Sequence, residues 1–156
     1  MCDDTQITVE GNTIRRRKIS EQNKAINRRI MEEVIGEGNI DLVDELVAED
    51  VIDHNPMPGQ APGTEGLKQM TTMMHSAFPD LKITVEDQIA EGDLAVDRFV
   101  MTGTHRGEFM GIPASGNKIR VTGILIHRIQ NGKVVEHWEE FDAMTLMQQL
   151  GAIPSQ

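Results

Sequence analysis

The sequence predicts an α+β domain in which helices cover one face of a curved, mainly antiparallel sheet. Apolar residues recur every three or four positions in the first half of the chain, and at every second position from Leu81 onward. Asn131-Gly132 then separates two alternating stretches, as in a two-residue hairpin turn. A chain of 156 residues can build one core. We therefore expect a single domain over residues 19–156.

Three helices are predicted before the sheet, over residues 20–36, 40–47 and 64–78. Each begins at or just after a Ser, Asn or Thr that can cap it, and the third ends before Pro79 because a residue that precedes proline avoids helical angles. Residues 53–66 contain three prolines and three glycines, which predict a long loop. Long loops in compact domains are often functional.

Alternating apolar residues predict four strands, over residues 81–86, 94–105, 118–129 and 134–142. A short helix is expected to follow over residues 143–151. A curved sheet closed on one side by helices encloses a tapering cavity, which alternate strand residues line.

Residues 1–18 lack periodicity and are predicted to be an N-terminal arm that need not be ordered. The run Arg15 to Lys18 suits either a nucleic-acid patch or a solvated docking arm, and the net charge of −10 favours the arm. The same charge argues against nucleic acid and membrane partners. Cys2 has no second cysteine to pair with, and no apolar run is long enough for a signal core or a membrane span, so we expect a cytoplasmic protein.

The stretch VVEHWEEFD, residues 134–142, concentrates four acids, a histidine and the only tryptophan on a predicted strand. Its residues divide between two faces: His137, Glu139 and Phe141 on one, and Glu136, Trp138, Glu140 and Asp142 on the other. One set is expected to point into the cavity and the other toward solvent or a partner subunit. The sequence leaves open which set points inward.

Five segments carry a resemblance to a known family: DHNP, AFPDL, VDRFVMTGTHRGEFMGIPASG, HRIQNGKVVEHWE and LMQQLG. In this order and at these spacings, residues 22–153 resemble the SnoaL-like polyketide cyclases, or ester cyclases, of the nuclear-transport-factor-like superfamily. The resemblance implies a cone-shaped α+β barrel, commonly a homodimer. It also implies a cofactor-free intramolecular aldol condensation of an apolar carbonyl compound, in which a buried carboxylate removes the proton.

The resemblance assigns the catalytic carboxylate to Glu139, two residues after His137, where the family has an aspartate. It places Leu125 where a cyclase has an active-site histidine. His105, in THRG, matches a family histidine, and Asn55 matches an asparagine near the pocket mouth.

Enolate chemistry requires residue types like those that the resemblance assigns. A base in an apolar cavity needs a carboxylate whose pKa is raised by desolvation, and the oxyanion needs a donor, for which His105, His54 and Arg98 are candidates. Asp142 is a second candidate base, although its position before a helix suits an N-cap equally.

Other side chains are assigned to substrate binding or excluded from it. His137, Trp138 and Phe109 are expected to contact the substrate, with Phe109 in a lid formed by the THRGEFMGIPASG loop. His137 and Glu139 lack a clear third ligand, so neither a metal nor another cofactor is predicted. His75 and His127 are interpreted as packing or surface residues.

Three functions remain open. The first is a cyclase or related enolate-forming enzyme acting on an apolar, polyketide-like carbonyl compound. The second is a dehydratase, isomerase or hydrolase that uses the same groups. The third is a non-catalytic ligand-binding or dimerisation module, which Leu125 and the Asp-to-Glu exchange favour. The absence of tyrosine argues against the oxyanion hole of ketosteroid isomerases.

Overall fold

The fold is built from one sheet and the helices that cover its concave face. The computed structural model describes residues 4–154, with the side chains of residues 11–154. In chain order the elements are α1 (Asp4–Arg29), a π-helical continuation (Ile30–Gly36), a 3₁₀ turn (Ile40–Leu42), α2 (Val43–Leu46), β1 (Val47–Asp53), α3 (Gly63–Ala77), β2 (Lys82–Glu91), β3 (Leu94–Thr104), β4 (Lys118–Gln130), β5 (Lys133–Phe141) and α4 (Ala143–Gln149).

The five strands form one mixed sheet in the order β1-β5-β4-β3-β2. All neighbours are antiparallel except β1 and β5, which run parallel. The turn between β4 and β5 has positive φ at Asn131 (51°) and Gly132 (78°), as a primed hairpin turn requires. The α+β class and the predicted hairpin are therefore confirmed.

The core lies between the concave face of the sheet and the helices. The π-helical continuation buries its apolar side chains there, including Met31 and Val34, and Phe78 after α3 is completely buried. Aliphatic and Met side chains make up most of the core, as the low aromatic content predicts. No helix among residues 4–154 is both long and apolar enough to cross a bilayer.

The helical half differs from the sequence prediction in three places. Helix α1 begins at Asp4, so the helix runs through Ser20, and residues 4–18 of the predicted arm are helical. Cys2 lies outside the described residues. Strand β1 was missed because its bulged pairing with β5 does not need alternation along its whole length. Helix α3 starts at Gly63 after Pro62, which removes the predicted cap at Thr64.

A β-bulge in the β4–β5 pair decides which face of β5 points inward. Ile129 lies opposite Val134, but Arg128 lies opposite Glu136, so Val135 is an extra residue on β5. From there on His127 faces His137, and Leu125 faces Glu139. Because directly opposed residues share a face of the sheet, the bulge turns His137 and Glu139 toward the buried side.

Candidate functional site

The inner face of β4 and β5 carries a row of polar side chains in an otherwise apolar region. His127 is buried, and its Nε2 lies 2.7 Å from Nδ1 of His137. Nε2 of His137 lies 3.4 Å from Oε2 of Glu139. About 25% of the Glu139 side chain is exposed, against 18% for His137, so Glu139 occupies the outer end of the row. Burial, and secondarily the nearby His137, lower the pKa of His127 well below its usual range, which keeps this ring neutral.

Helix α1 and strand β3 continue the row into the core. Nδ1 of His127 is hydrogen-bonded to Oδ1 of Asn27, which is fully buried. Asp97 is also fully buried and accepts a 2.9 Å hydrogen bond from Nε2 of Gln88. Desolvation raises the pKa of Asp97, while hydrogen bonding by Asn27 and Gln88 acts in the opposite direction. The polar groups thus follow each other from Asp97 to Glu139.

Strand β1 and the loop after it add polar groups on the other side of His137. Asp53 is the register partner of His137 in the parallel pair, and its Oδ2 accepts a 2.9 Å hydrogen bond from Nε2 of Gln60. Asn55 lies beside Glu139, and its Oδ1 accepts a 3.0 Å hydrogen bond from the backbone N–H of Glu139. The 53–66 loop of the sequence analysis therefore contributes directly to the site.

The two histidines of the row line a small internal cavity of about 40 Å³. Its polar lining consists of Asp53, Gln60, His127 and His137. The rest of its lining is almost entirely apolar: Ile30, Ile35, Val47, Val51, Gly63, Leu67, Met70 and Val134. Glu139 does not line this cavity, but its contact with His137 places a carboxylate next to an imidazole of the cavity wall. A carboxylate and an imidazole in contact have the chemical composition of a general acid–base site.

His105 does not join this row. The residue before it on β3, Thr104, pairs with Lys118, whereas Glu139 pairs with Leu125, seven positions further along β4 (125 − 118 = 7). At about 3.3 Å per residue the two sites are about 23 Å apart. His105 is fully buried, its Nδ1 lies 2.9 Å from Oγ of Ser115, and its ring contacts Phe78. The expected convergence of His105 and Glu139 is not seen.

Three expected substrate contacts lie on the outer face of the sheet. Arg98 forms exposed ion pairs with Glu86 and Asp87 on β2. Trp138 alternates with His137 and Glu139, so it points outward, where His54 stacks on it with ring centroids 4.5 Å apart. Neither Arg98, Trp138 nor His54 lines the internal cavity. Strand parity explains the position of Trp138, since the bulge turns the odd-numbered residues of β5 after Val135 toward the inside.

Phe109 and Asp142 have structural contacts. Phe109 is buried against Phe78, with ring centroids 5.4 Å apart, and its loop adds no residue to the cavity lining, so the expected lid is not observed. Asp142 caps α4 by accepting hydrogen bonds from N–H and Oγ1 of Thr145, at 3.0 and 2.6 Å. These bonds, the side-chain one first, lower the pKa of Asp142, which is the opposite of what a base needs at neutral pH.

The sequence interpretation missed three residues of the row, His127, Asn27 and Asp97, and also Asp53 beside it. Alternation along β4 does place His127 on the same face as Leu125, which was the available signal. Nothing in the sequence indicates that Asn27, on a distant helix, contacts it. Among the residues that the structure describes, no three His, Cys, Asp or Glu side chains group as a metal site would.

Larger depressions are also present on the surface. The largest, about 1220 Å³, separates α1 from the turns that join β2 to β3 and β4 to β5. It contains arginines and acids but none of the row from Asp97 to Glu139. An open groove of about 600 Å³ is lined by Trp138, Ile124 and Ile126 of the outer face, and also by Asn55 and Glu139. We place the candidate site at the His137–Glu139 pair, because its histidine lines the small apolar cavity and its carboxylate lines the groove.

Comparison with known proteins agrees with this fold. TsrD from Streptomyces laurentii is 31% identical over 85% of this chain and 97% of its own, with a TM-score of 0.78. IdmH from Streptomyces antibioticus, described as a candidate polyketide cyclase, is 33% identical over 83% and 99%, with a TM-score of 0.72. AclR from Streptomyces galilaeus, described as a candidate hydroxylase, is 25% identical over 88% and 85%, with a TM-score of 0.76.

Among curated proteins, none matches the chain. The family model for SnoaL-like polyketide cyclases matches residues 25–150, a range that contains every residue of the row from Asn27 to Glu139. The chain belongs to the SnoaL-like polyketide cyclase family.

Proposed function

We propose that this protein is a cofactor-independent enzyme that removes a proton from an activated carbon of an apolar, polyketide-like carbonyl compound and closes a ring by aldol addition. The observation that carries the proposal is the 3.4 Å contact between Oε2 of Glu139, which lines the open groove, and Nε2 of His137, which lines the apolar cavity. Glu139 is the general base. Its carboxylate takes the proton, and the electron pair of the C–H bond moves into the enolate.

The surroundings of Glu139 suit this role. The backbone N–H of Glu139 donates a hydrogen bond to Oδ1 of Asn55. This bond fixes Glu139 in place and puts the side-chain amide of Asn55 beside the reacting centre. Leu125 lies opposite Glu139 and is fully buried, so one side of the carboxylate is apolar. An apolar wall favours proton uptake by a carboxylate, and an amide donor stabilises a developing oxyanion.

The cavity volume sets where the substrate lies. Cavities that enclose a drug-sized ligand measure about 300–1,000 Å³, far above the 40 Å³ found here. Only a small group such as a methyl or carbonyl fits inside, so the body of the substrate lies at the mouth, against residues 54–62. The same small volume favours a second candidate function, a non-catalytic module in which the polar row is purely structural.

The experiment is a product analysis with a panel of 1,3-dicarbonyl esters that carry a second carbonyl at ring-closing distance. The proposal predicts a cyclic aldol product with the mass of the substrate. A dehydratase would release water, a hydrolase would add water, and an isomerase would return an open-chain product of equal mass. If the wild-type protein transforms none of these compounds and exchanges none of their acidic hydrogens with the solvent, the enzymatic proposal is wrong and the binding module is favoured.

The outer face of the sheet supports a homodimer as part of this proposal. Ile89, Val96, Ile126 and Trp138 are successive register partners and form one apolar row across β2, β3, β4 and β5. Ile89 is 69% exposed, and Ile124 beside the row is 50% exposed. Contiguous apolar patches of this kind on a monomer usually mark an interface. A second copy that packs sheet against sheet would cover the row by a twofold axis.

A further inference from the structure

The row of polar groups from Asp97 to Glu139 has a direction, because each hydrogen bond between neighbours needs one donor and one acceptor. Asp97, buried and acceptor-only when ionised, lies at the inner end. Asn27 supplies one amide with a donor end and an acceptor end. His127 and His137 each supply one N–H and one lone pair when neutral. The orientation of one member therefore determines the orientation of the next.

The inner end of the row fixes Asn27. The nitrogen Nδ2 of Asn27 and Oδ2 of Asp97 are both fully buried, and neither has a partner at standard hydrogen-bonding distance. Oδ1 of Asn27 is hydrogen-bonded to Nδ1 of His127, so Nδ2 is the end of the amide that is left to interact with the carboxylate of Asp97. Reversing the amide would place two oxygens against each other in a low-dielectric interior, where such repulsion is strongest.

The orientation of Asn27 then fixes both histidines. Its Oδ1 accepts a hydrogen bond from Nδ1–H of His127, so Nε2 of the neutral His127 ring carries a lone pair. That lone pair accepts a hydrogen bond from Nδ1–H of His137 across 2.7 Å. The remaining nitrogen of a neutral His137, Nε2, must carry a lone pair, and it faces Glu139.

We propose that Asp97, Asn27 and His127 are positioning residues that keep the Nε2 lone pair of His137 directed at Glu139, so that His137 receives the proton which Glu139 removes from the substrate. This inference rests on the proposed function for its catalytic meaning. The proton moves from carbon to Oε2 of Glu139 and then to Nε2 of His137, which becomes an imidazolium beside the regenerated carboxylate. The reverse transfer returns the proton to the product, so no net proton is consumed.

The competing arrangement reverses every hydrogen bond, so that Nε2–H of His137 donates to Glu139. Charged groups lie near both ends of the row. Asp53 on β1 and Glu139 on β5 lie beside His137. Arg28 and Glu32 act on Asp97 through their charges. Glu139 is partly exposed, and water can solvate its carboxylate, whereas Asp97 is fully buried and depends on its protein donors. The buried end therefore dominates and sets the direction.

The test is ¹⁵N NMR of histidine side chains, which distinguishes a protonated ring nitrogen from one with a lone pair and needs no substrate. In the wild-type protein at neutral pH we expect Nδ1–H with a bare Nε2 for both His127 and His137. His127 should stay neutral on acidification, because burial lowers its pKa well below the usual range. A bare Nδ1 on either ring at neutral pH would overturn the inference, whatever the outcome of the substrate screen.

Two variants test the cause of this arrangement. Asn27→Leu removes the acceptor for His127, and Asp97→Asn removes the charge that orients Asn27, so each should give a mixture of tautomers at His137. Asn23→Leu is the matched control, because Asn23 lies one turn earlier on α1, is almost as buried, and binds the carbonyl oxygen of Gly92 outside the row. An unchanged His137 tautomer in a folded Asn27→Leu or Asp97→Asn protein would overturn the positioning role.

Activity supplies an independent measure of the same role. With any compound that exchanges hydrogen, Asn27→Leu should slow exchange about 10- to 100-fold at saturating substrate, a typical effect of losing a partner that orients a functional histidine. KM should change little, because Asn27 does not contact the cavity. NMR can show the expected tautomers of His127 and His137 while no compound exchanges hydrogen with the solvent. In that case the row has the proposed direction, and only the proposed function is wrong.

Discussion

At the scale of single residues, Asp97 is the least ordinary feature of the molecule, since a fully buried carboxylate without a cationic partner in hydrogen-bonding contact is rare. Its donors are the neutral amide of Gln88 and the more distant amide of Asn27. Amides compensate only part of the cost of burying a charge. The consequence is a raised pKa for Asp97, which links its protonation to the stability of the fold.

This linkage predicts a pH dependence with a definite sign. Because the pKa of Asp97 is higher in the folded state, the folded protein binds the proton more tightly than the unfolded chain does. Its contribution to stability is therefore complete below the unfolded pKa of about 3.9 and is lost as the pH rises through the folded pKa. The Asp97→Asn variant should lack this loss, so the difference in unfolding free energy between variant and wild type should grow in favour of the variant as the pH rises above about 4.

Urea unfolding at several pH values measures this difference directly. Asp80 and Asp93 have lowered pKa values, chiefly because of hydrogen bonds from Thr104 and Arg128, and they affect the wild type and the variant equally. Subtracting the two curves therefore isolates Asp97. Parallel curves would mean that Asp97 titrates alike in the folded and unfolded chain.

Several residues of the site could be identified from the sequence, but the face of the sheet to which their side chains point could not. The pairing of His137 and Glu139 on one strand face followed from alternation alone. Whether that face points inward depends on the extra residue Val135, because an unbroken hairpin from Asn131-Gly132 would have placed Glu136 opposite His127. A bulge of this kind leaves no sequence signal in a strand of ordinary composition. For that reason the sequence left open which face points inward, and Trp138, an expected substrate contact, lies outside the internal cavity.

At the scale of the elements, the contact between β3 and β4 depends on a glycine. Gly123 is the register partner of Phe99, which is buried. A Cβ at Gly123 would overlap the Phe99 ring and lie 3.0 Å from the carbonyl oxygen of Glu140 on β5. The missing side chain thus lets an aromatic ring lie across the sheet next to the strand that carries Glu139.

The Gly123→Ala variant should therefore be destabilised by about 1–3 kcal/mol, the usual cost of overpacking a core. Urea unfolding measures the loss, and Thr122→Ala, on the exposed face of the same strand, is the control and should change stability little. Combining Gly123→Ala with Phe99→Leu should recover part of the loss, since the smaller side chain makes room. Independent, additive effects of the two substitutions would rule out the proposed overlap.

The elements were predicted with unequal success for physical reasons. Strands β2 to β5 alternate clearly because one face is buried and the other is not. Helix α1 was cut short at Ser20 because residues 11–19 are exposed on nearly all sides, so its first half has no apolar stripe to detect. Strand β1 lies at the end of the sheet and is held by a few hydrogen bonds to β5 and by packing against α3. Because β5 is far from β1 in the sequence, a local sequence pattern does not reveal this pairing.

At the scale of the whole molecule, the sheet separates two surfaces with different roles. The inner face holds the polar row and the cavity, and the outer face holds the apolar row that includes Ile126 and Trp138. Trp138 belongs to the outer row through its position, its stacking with His54 and its contact with the guanidinium of Arg128. Strand β5 therefore links the proposed dimer interface to the proposed active site.

A charge placed in the outer row should dissociate the dimer. Ile124→Glu introduces a carboxylate at an exposed position beside Ile126, where it would face its symmetry mate or an apolar surface. Sedimentation equilibrium should give a dimer for the wild type and a monomer for this variant. Met144→Glu, equally exposed but on α4, should remain dimeric. A monomeric wild type at micromolar concentration would remove the dimer from the account.

The central claim is that Glu139 is the base, and solvent deuterium incorporation into a 1,3-dicarbonyl ester tests it most directly. Glu139→Gln keeps the shape and removes the base, while Glu140→Gln makes the same change on the outer, exposed face of the same strand. We expect Glu139→Gln to slow incorporation about 10²- to 10⁴-fold, the usual contribution of a general base, with Glu140→Gln near the wild-type rate. Equal rates for the wild type and Glu139→Gln would contradict the account.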